Sequence, residues 1–225
     1  LIDVGFDDYN PRIRSYHIKE RARILHEWVK KEFIEEDFSS QVLPVLHLSQ
    51  CQFIRCQFKF ADLKELETEN CHFIDCDFSN SALNSSVHRA SAFTNCRFGK
   101  TNFFVAKFEG CKMTGSNFDE ADFTGVSIQG GDWSYTVLRH QRLYKCDLSE
   151  VSFKEADLYQ CDFAKSNLQN VDLSYANVSG ASFSGADLRG ANLEGIDMKN
   201  LNIKNARIDV AQAIQVARSL GAKVE

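Results

Sequence analysis

The sequence predicts an all-β solenoid, and three registers of side chains predict it. From Leu48 to Ile208 every fifth residue is large and apolar for 33 consecutive positions, starting Leu48, Phe53, Phe58, Leu63, with only Thr68 and His88 departing. Two residues before each of these sits a mainly small register: Cys51, Cys56, Ala61, Cys71, Cys76 and, toward the far end, Ala176, Ala181, Ala186 and Ala191. Gln141, Leu66, Ile196 and Leu201 are its main exceptions. Two residues after each large one come eight glycines, Gly110 and Gly195 among them, and six asparagines. Both residue types tolerate positive φ, so this register marks the turns.

A five-residue period excludes the regular alternatives. An α-helix advances about 100° per residue and would scatter the large positions around its cylinder. A flat strand has period 2, so an odd period would flip each successive phenylalanine to the opposite face. What remains is a chain that runs extended for about three residues, tucks the small and large side chains inward, and turns a corner.

Ahead of the repeat, residues 1–13 show no period and contain Pro11, which reads as an irregular lead-in. From about Ser15 to Phe33 the apolar residues Ile18, Ala22, Leu25, Trp28, Val29 and Phe33 keep helical spacing. Residues 1–47 are therefore expected to form an N-terminal α-helical cap whose stripe covers the open first coil. Residues 48–208 form the solenoid. After Ile208 the count stops, and Asp209 is placed to cap a helix through Leu220 with Gly221 as its stop. That helix carries Val210, Ile214, Ala217 and Leu220 and is too short to stand alone. Residues 209–225 are thus expected to close the last coil, with any surplus apolar face joining two rods in a self-complementary, two-fold contact.

Composition narrows the function classes. The chain has 225 residues and a formal net charge of −5, of which −2 falls in 1–47, −3 in 48–208 and 0 in 209–225. A basic nucleic-acid groove is not expected. No run of 18 apolar residues and no charged-then-apolar leader occurs, so a cytoplasmic location is expected. The eight cysteines, despite C-x₄-C pairs, all occupy the small register, which reads as compact hydrophobe rather than zinc ligand or disulfide. No catalytic constellation, phosphate loop, metal set or cofactor motif stands out, and a non-enzymatic protein is expected.

Runs such as Ala186-Asp187-Leu188-Arg189-Gly190 and Ala191-Asn192-Leu193-Glu194-Gly195 resemble the pentapeptide-repeat family, consensus A(D/N)LxX. The resemblance implies a right-handed quadrilateral β-helix with four pentapeptides per coil, hence roughly eight coils and a rod on the order of 40 Å long. On that geometry, residues 20 apart share a column. Phe58, Phe78, Phe98 and Phe118 then form an aromatic stack, and Thr68 and His88 fall on one face in adjacent coils, as a satisfied polar pair or as a dent made for a partner. The same column carries the acids Glu67, Glu69, Glu109, Asp147, Glu150 and Asp187 and a net charge of −3.

Three stretches go further. His88-Arg89-Ala90-Ser91-Ala92-Phe93 with Asn95-Cys96, Gln129-Gly130-Gly131-Asp132, and Ala206-Arg207-Ile208-Asp209 with Gln212-Ala213 resemble the mycobacterial MfpA branch of the Qnr-type proteins. That resemblance implies a homodimeric rod joined through C-terminal helices, a mimic of B-form DNA that binds DNA gyrase or topoisomerase IV and protects it from quinolones or related poisons. The acids named above are then the expected partner surface. A structural scaffold with a different partner is the alternative.

Overall fold

A computed structural model describes residues 26–43 and 45–225. Corners come first in its logic. Nearly every residue whose number is a multiple of five, from Lys30 to Gly195, has φ between +45° and +75°, whatever its type. Each such residue turns the backbone onto the next wall, so the chain bends after every extended trio. Four corners bring it back over itself 20 residues later.

Pairing confirms the offset. Strands β1 (His26–Val29), β2 (Glu32–Ile34), β3 (Leu46–Ser49), β4 (Gln52–Ile54), β5 (Glu67–Glu69), β6 (His72–Ile74), β7 (Val87–Arg89), β8 (Ala92–Thr94), β9 (Lys107–Glu109) and β10 (Ser127–Gln129) build two parallel sheets. The first wall has the order β1-β3-β5-β7-β9-β10 and the second β2-β4-β6-β8. The third and fourth walls are held by isolated parallel bridges of the same offset, and such pairs run from His26↔Leu46 to Asp187↔Arg207, about nine coils. The protein is a four-sided parallel β-solenoid with one C-terminal helix, α1 (Val210–Ser219).

The first coil corrects the sequence reading. Residues 26–33, expected to be helical, form β1 and β2, and the solenoid begins at least 22 residues before Leu48. Trp28, Phe33, Phe38 and Leu43 continue the five-residue count, and Trp28 and Phe33 pack against the core. The signal was hidden because the register two residues earlier holds His26, Lys31, Glu36 and Gln41 in place of small side chains. Lys31 and Glu36 are exposed in this coil. The rest of the expected cap, residues 1–25, lies outside the described residues.

Inside, the aromatic columns stack at the coil spacing. Phe53, Phe73 and Phe93 follow one another at 4.7 and 4.6 Å with rings within 3° of parallel. Phe38, Phe58, Phe78, Phe98 and Phe118 do so at 4.6–5.0 Å, extending the expected stack by one coil. Neighbouring columns meet edge to face, as Phe53 does with Phe58 at 5.6 Å and 66°. Each buried ring contributes about 1.5–3 kcal/mol of apolar burial, and the edge-to-face pairs add to it.

The small register has a polar function of its own. The Cys56, Cys76 and Cys96 thiols each reach the carbonyl oxygen of the large residue 23 positions earlier at 3.4 Å, and the Thr101 and Ser116 hydroxyls do the same at 2.7 and 2.8 Å. Cysteine, serine and threonine interchange there because each is compact and donates inward. All eight cysteines are free. Burial pushes the Cys71 and Cys111 thiols up to about 11 and Cys161 to about 12, so they stay protonated as donors.

Val105 is a β-branched residue held at a corner with φ 53°. Left-handed backbone costs an L-residue roughly 1–2 kcal/mol, and asparagine tolerates it better. Val105→Asn is expected to raise stability by about 1 kcal/mol in urea denaturation; an unchanged or lower midpoint contradicts the strain.

Candidate partner-binding surface

The exterior of the first wall is set by the residues flanking each inward position. Glu67 and Glu69 flank Thr68 on β5, Arg89 lies one coil on in β7, and Glu109 follows in β9. Arg89 sits between the acids, its guanidinium 3.8 Å from Glu67 and 3.1 Å from Glu109. His47 approaches Glu67 from the preceding coil at 3.6 Å. The structure thus brings three of the six expected acids into one cluster. Asp147, Glu150 and Asp187 lie on the same wall farther along, beyond the uncharged Ser127 and Gln129 of β10.

These carboxylates do two different jobs. Asp147 Oδ1 accepts from the Ser149 N–H at 3.1 Å and from Asn167 at 2.9 Å, and Asp187 Oδ1 accepts from the Arg189 N–H at 3.3 Å. The same local turn recurs at Asp62, Asp77, Asn102, Asn117, Asp122, Asp132, Asp157 and Asp172, each accepting from the N–H two residues on. An aspartate or asparagine before the large residue is therefore a turn-forming element of the repeat. Asp187 is further consumed by Arg189 at 2.7 Å and Arg207 at 3.1 Å, and the Arg189 hydrogen bonds hold its carboxyl well below the usual carboxylate range. The glutamates Glu67, Glu69 and Glu109 have no such backbone role. Glu150 occupies a corner at φ 62°.

Moving the solenoid's start back changes its charge. Residues 26–47 hold Glu27, Glu32, Glu35, Glu36 and Asp37 against Lys30 and Lys31, so residues 26–208 carry −6 where 48–208 alone carry −3. Glu27 lies on β1, on the same wall as Glu67. Sequence reasoning missed these acids because it placed them in the N-terminal cap region, outside the solenoid.

Beneath the glutamate cluster lies the one polar break in the core register. Thr68 and His88 are 1% exposed, and every polar atom they bring is paired. Thr68 Oγ1 donates to Ser91 Oγ at 3.0 Å, and Ser91 Oγ donates to the Arg89 carbonyl at 3.0 Å. The Thr68 proton being spent, its oxygen accepts from His88 Nδ1 at 2.9 Å, and His88 Nε2 accepts from Ser86 Oγ at 3.0 Å. A single neutral tautomer completes the chain. The imidazole also stacks on Phe108 at 5.0 Å, replacing a phenylalanine in its column. The pair is satisfied, and no dent opens above it.

Both ends of α1 are as the sequence indicates, with one reversal. Asp209 Oδ1 accepts from the Gln212 N–H at 3.0 Å, while Gln212 Oε1 accepts from the Asp209 N–H at 3.0 Å, a reciprocal capping box. The core is closed by Gln212 and Val216, not by the expected stripe. Gln212 Nε2 donates to the Leu188 and Ala191 carbonyls at 2.6 and 3.0 Å. Val210, Ile214 and Ala217 fall on the opposite side of the helix; Val210 is 77% exposed, while Ile214 and Ala217 are half-buried. Leu220, 65% exposed, lies just past the helix end.

Among the described residues no helix is long and apolar enough to cross a membrane, and no group of three His, Cys, Asp or Glu is placed to hold a metal.

A solenoid with this five-residue repeat has a family, and its models match here: "pentapeptide repeat region" over residues 140–212 and "pentapeptide repeats (8 copies)" over 51–87 and 101–132. The chain belongs to the pentapeptide-repeat family. Among solved structures, a trypsin-treated form of QnrB1, a plasmid-mediated fluoroquinolone resistance protein, superposes with a TM-score of 0.80 at 22% identity, covering 88% of this chain and 99% of that one. Full-length QnrB1 gives 0.68 at 20% identity, covering 87% and 100%. HetL, a pentapeptide repeat protein involved in heterocyst differentiation regulation from the cyanobacterium Nostoc sp. strain PCC 7120, gives 0.43 at 22% identity over 81% and 86%. No curated protein sequence matches.

His88 makes folding pH-dependent. Burial lowers its pKa from 6.5 to about 3, so below 6.5 the unfolded chain takes up a proton that the folded chain refuses. Stability therefore declines as pH falls from 6.5 toward 3, with about 2 kcal/mol lost between pH 7 and pH 5 from this group. The double variant Thr68→Leu/His88→Phe is expected to abolish that part of the slope in urea titrations at pH 7 and pH 5; an unchanged slope contradicts it.

Proposed function

We propose that this protein shields a type II DNA topoisomerase, DNA gyrase or topoisomerase IV, from quinolones or related poisons, acting as a non-enzymatic mimic of DNA. The observation that carries the reading is end-to-end superposition on QnrB1, spanning 99% of that chain, by a rod whose described solenoid bears −6. A DNA-binding surface is positively charged, and a rod presenting carboxylates in coil steps of about 4.8 Å competes for it electrostatically. Glu67, Glu69 and Glu109 are the contact residues of choice, with Glu27 beside them. Asp147 and Asp187 serve chiefly to hold the repeat, and Glu150 extends the acidic wall.

Two rods are proposed to join through α1, whose Val210, Ile214 and Ala217 face away from the core, with Leu220 beside them. A two-fold contact there would double the acidic length available to a partner.

The purified chain is expected to restore gyrase supercoiling in the presence of a fluoroquinolone at low micromolar concentration, with the effect declining as salt rises. The triple variant Glu67→Lys/Glu69→Lys/Glu109→Lys should need about tenfold more protein for the same rescue while melting normally. Absence of rescue across a salt series removes the reading and leaves a scaffold with a different partner. Full rescue by the triple variant removes the assignment of the face.

Light scattering tests the assembly. Ile214→Asp is expected to halve the mass of a dimer; an unchanged mass contradicts the helix-to-helix contact.

A further inference from the structure

Short of its last coil, where Val178, Gly180 and Asp197 make no inter-coil backbone bond, the ladder is regular except along one line. In one coil the Phe103 and Val105 N–H groups donate to the Asp122 and Thr124 carbonyls at 2.9 Å, and the Asp122 N–H returns to Thr101 at 2.9 Å. Two coils later Leu143 and Lys145 donate to Asp162 and Ala164 at 2.9 and 3.1 Å, and Asp162 returns to Gln141 at 3.0 Å. Between them the series skips a step. Phe123 and Gly125 make no such bond to Arg142 and Tyr144, nor does Arg142 to Ala121. On the adjoining first wall Ile128 and Gly130 make none to Asp147 and Ser149, nor does Asp147 to Val126. The bridges at Asp122/Arg142 and Ser127/Asp147 are likewise missing from a set whose other gap, at Asn177/Asp197, lies in the last coil. The other two walls stay bridged through the same coils, by Lys112↔Asp132↔Ser152 and Asn117↔Val137↔Asp157, although the corner Glu120 N–H makes no bond to Arg139.

One residue accounts for the start of the gap on the fourth wall. Gln141 occupies a small-register position, and its side-chain amide donates to the Phe118 and Ala121 carbonyls at 3.3 and 3.2 Å. It thereby takes the acceptor that the Arg142 N–H would use. Gln212 treats Leu188 and Ala191 identically where the solenoid ends, so Gln141 is an end-cap placed in mid-rod. The lips enclose a groove of about 410 Å³ lined by Phe123, Gly125, Val126, Gln141, Tyr144 and Cys146. At the edge where the walls rejoin, Gly131 has φ +96°, and a Cβ there would lie 2.2 Å from the Cys111 carbonyl oxygen.

We propose that this line is a built-in hinge. Two stiff segments, residues 26–130 and 141–208, share a continuous backbone ladder on the second and third walls and open along the fourth and first. Six inter-coil hydrogen bonds are unmade on the fourth and first walls, while the second and third keep those of Met113, Phe118, Asp132 and Val137; this gives bending a single direction, opening the acidic first wall and closing the opposite one. The inference concerns the rod itself and stands whichever partner it meets.

Hydrogen exchange of the full chain, resolved by residue, tests it. The amides of Phe123, Gly125, Ile128, Gly130, Arg142 and Asp147 are expected to exchange about 100-fold faster than those of Phe103, Val105, Leu143, Lys145 and Leu148; equal protection overturns the hinge. Gln141→Ala and Gln141→Ser restore a small residue and should bring the six amides to their neighbours' level; unchanged fast exchange in a folded variant removes Gln141 as the wedge. Spin labels carried on unnatural amino acids at Glu69 and Gln169, about 24 Å apart along the first wall, should give a broad distance distribution in the wild type and a narrower one in a folded Gln141 variant. A narrow wild-type distribution overturns the hinge whether or not the variants fold.

Discussion

Everything in this structure depends on one backbone constraint: a residue with positive φ at every fifth position. The constraint is met by Phe60, Val105, Tyr135 and Tyr175 as well as by glycine and asparagine, so local preference does not supply it alone. The inter-coil ladder does. Corner N–H groups donate to the coil above, as from Val105 to Thr124 at 2.9 Å and from Tyr135 to Lys154 at 2.9 Å, with Glu120, Gly125 and Gly130 at the opening among the exceptions. An unfavourable torsion is offset by a hydrogen bond that only that torsion makes. Strain at a corner and pairing between coils are one cooperative fact.

That coupling explains why the interior tolerates so much and the exterior so little is prescribed. Residues 20 apart superpose at 4.6–5.0 Å, so a side chain is judged by whether it stacks on its counterpart. His88 passes because its ring stacks on Phe108 and its nitrogens find Thr68 and Ser86. Trp133 passes less well: it is fully buried, meets Phe108 at 86°, and leaves Nε1 without a partner. It lies on the bonded second wall, between the coils where the ladder opens on the opposite side. An oversized ring and an oversized Gln141 in the small register act on the same coils.

The solenoid was legible in the sequence where all three registers agreed, and failed to be legible where one was missing. Trp28, Phe33, Phe38 and Leu43 keep the large register, but Lys31 and Glu36 break the small one, and Ile18, Ala22, Leu25 and Trp28 satisfy a helical spacing equally well. A pattern of large residues alone does not choose between periods of 3.6 and 5 over so short a stretch. The acidic column was legible as a column, because residues 20 apart share a wall. What each acid does was not. The aspartate of the repeat and a glutamate carry the same charge in a sequence, and only the accepted N–H groups of Ser149 and Arg189 reveal that Asp147 and Asp187 are spent on turns. At the C-terminus the capping box was visible from Asp209 and Gln212, yet the inward face of α1 was not, because a polar Gln212 buries itself to satisfy two carbonyls that no apolar residue satisfies.

Gln212 and Gln141 together say what limits such a rod. A coil with nothing bonded above it exposes carbonyls of its large and small residues, and a glutamine amide satisfies two of them at once. At the end of the solenoid this is necessary. In the middle it forgoes six backbone hydrogen bonds, each contributing about 0.5–1.5 kcal/mol net, in exchange for two from a side chain. The core does not need that exchange, since Ala121 in the preceding coil and Cys161 in the following one occupy the equivalent position with the ladder intact on their other sides. The glutamine therefore costs stability where the repeat offers a better residue. On the proposed function, a rod read by a partner along several coils at once must match that partner's curvature, and the proposed hinge, opening on the acidic wall and its neighbour, would let the spacing of the carboxylates adjust without unwinding the aromatic columns behind them.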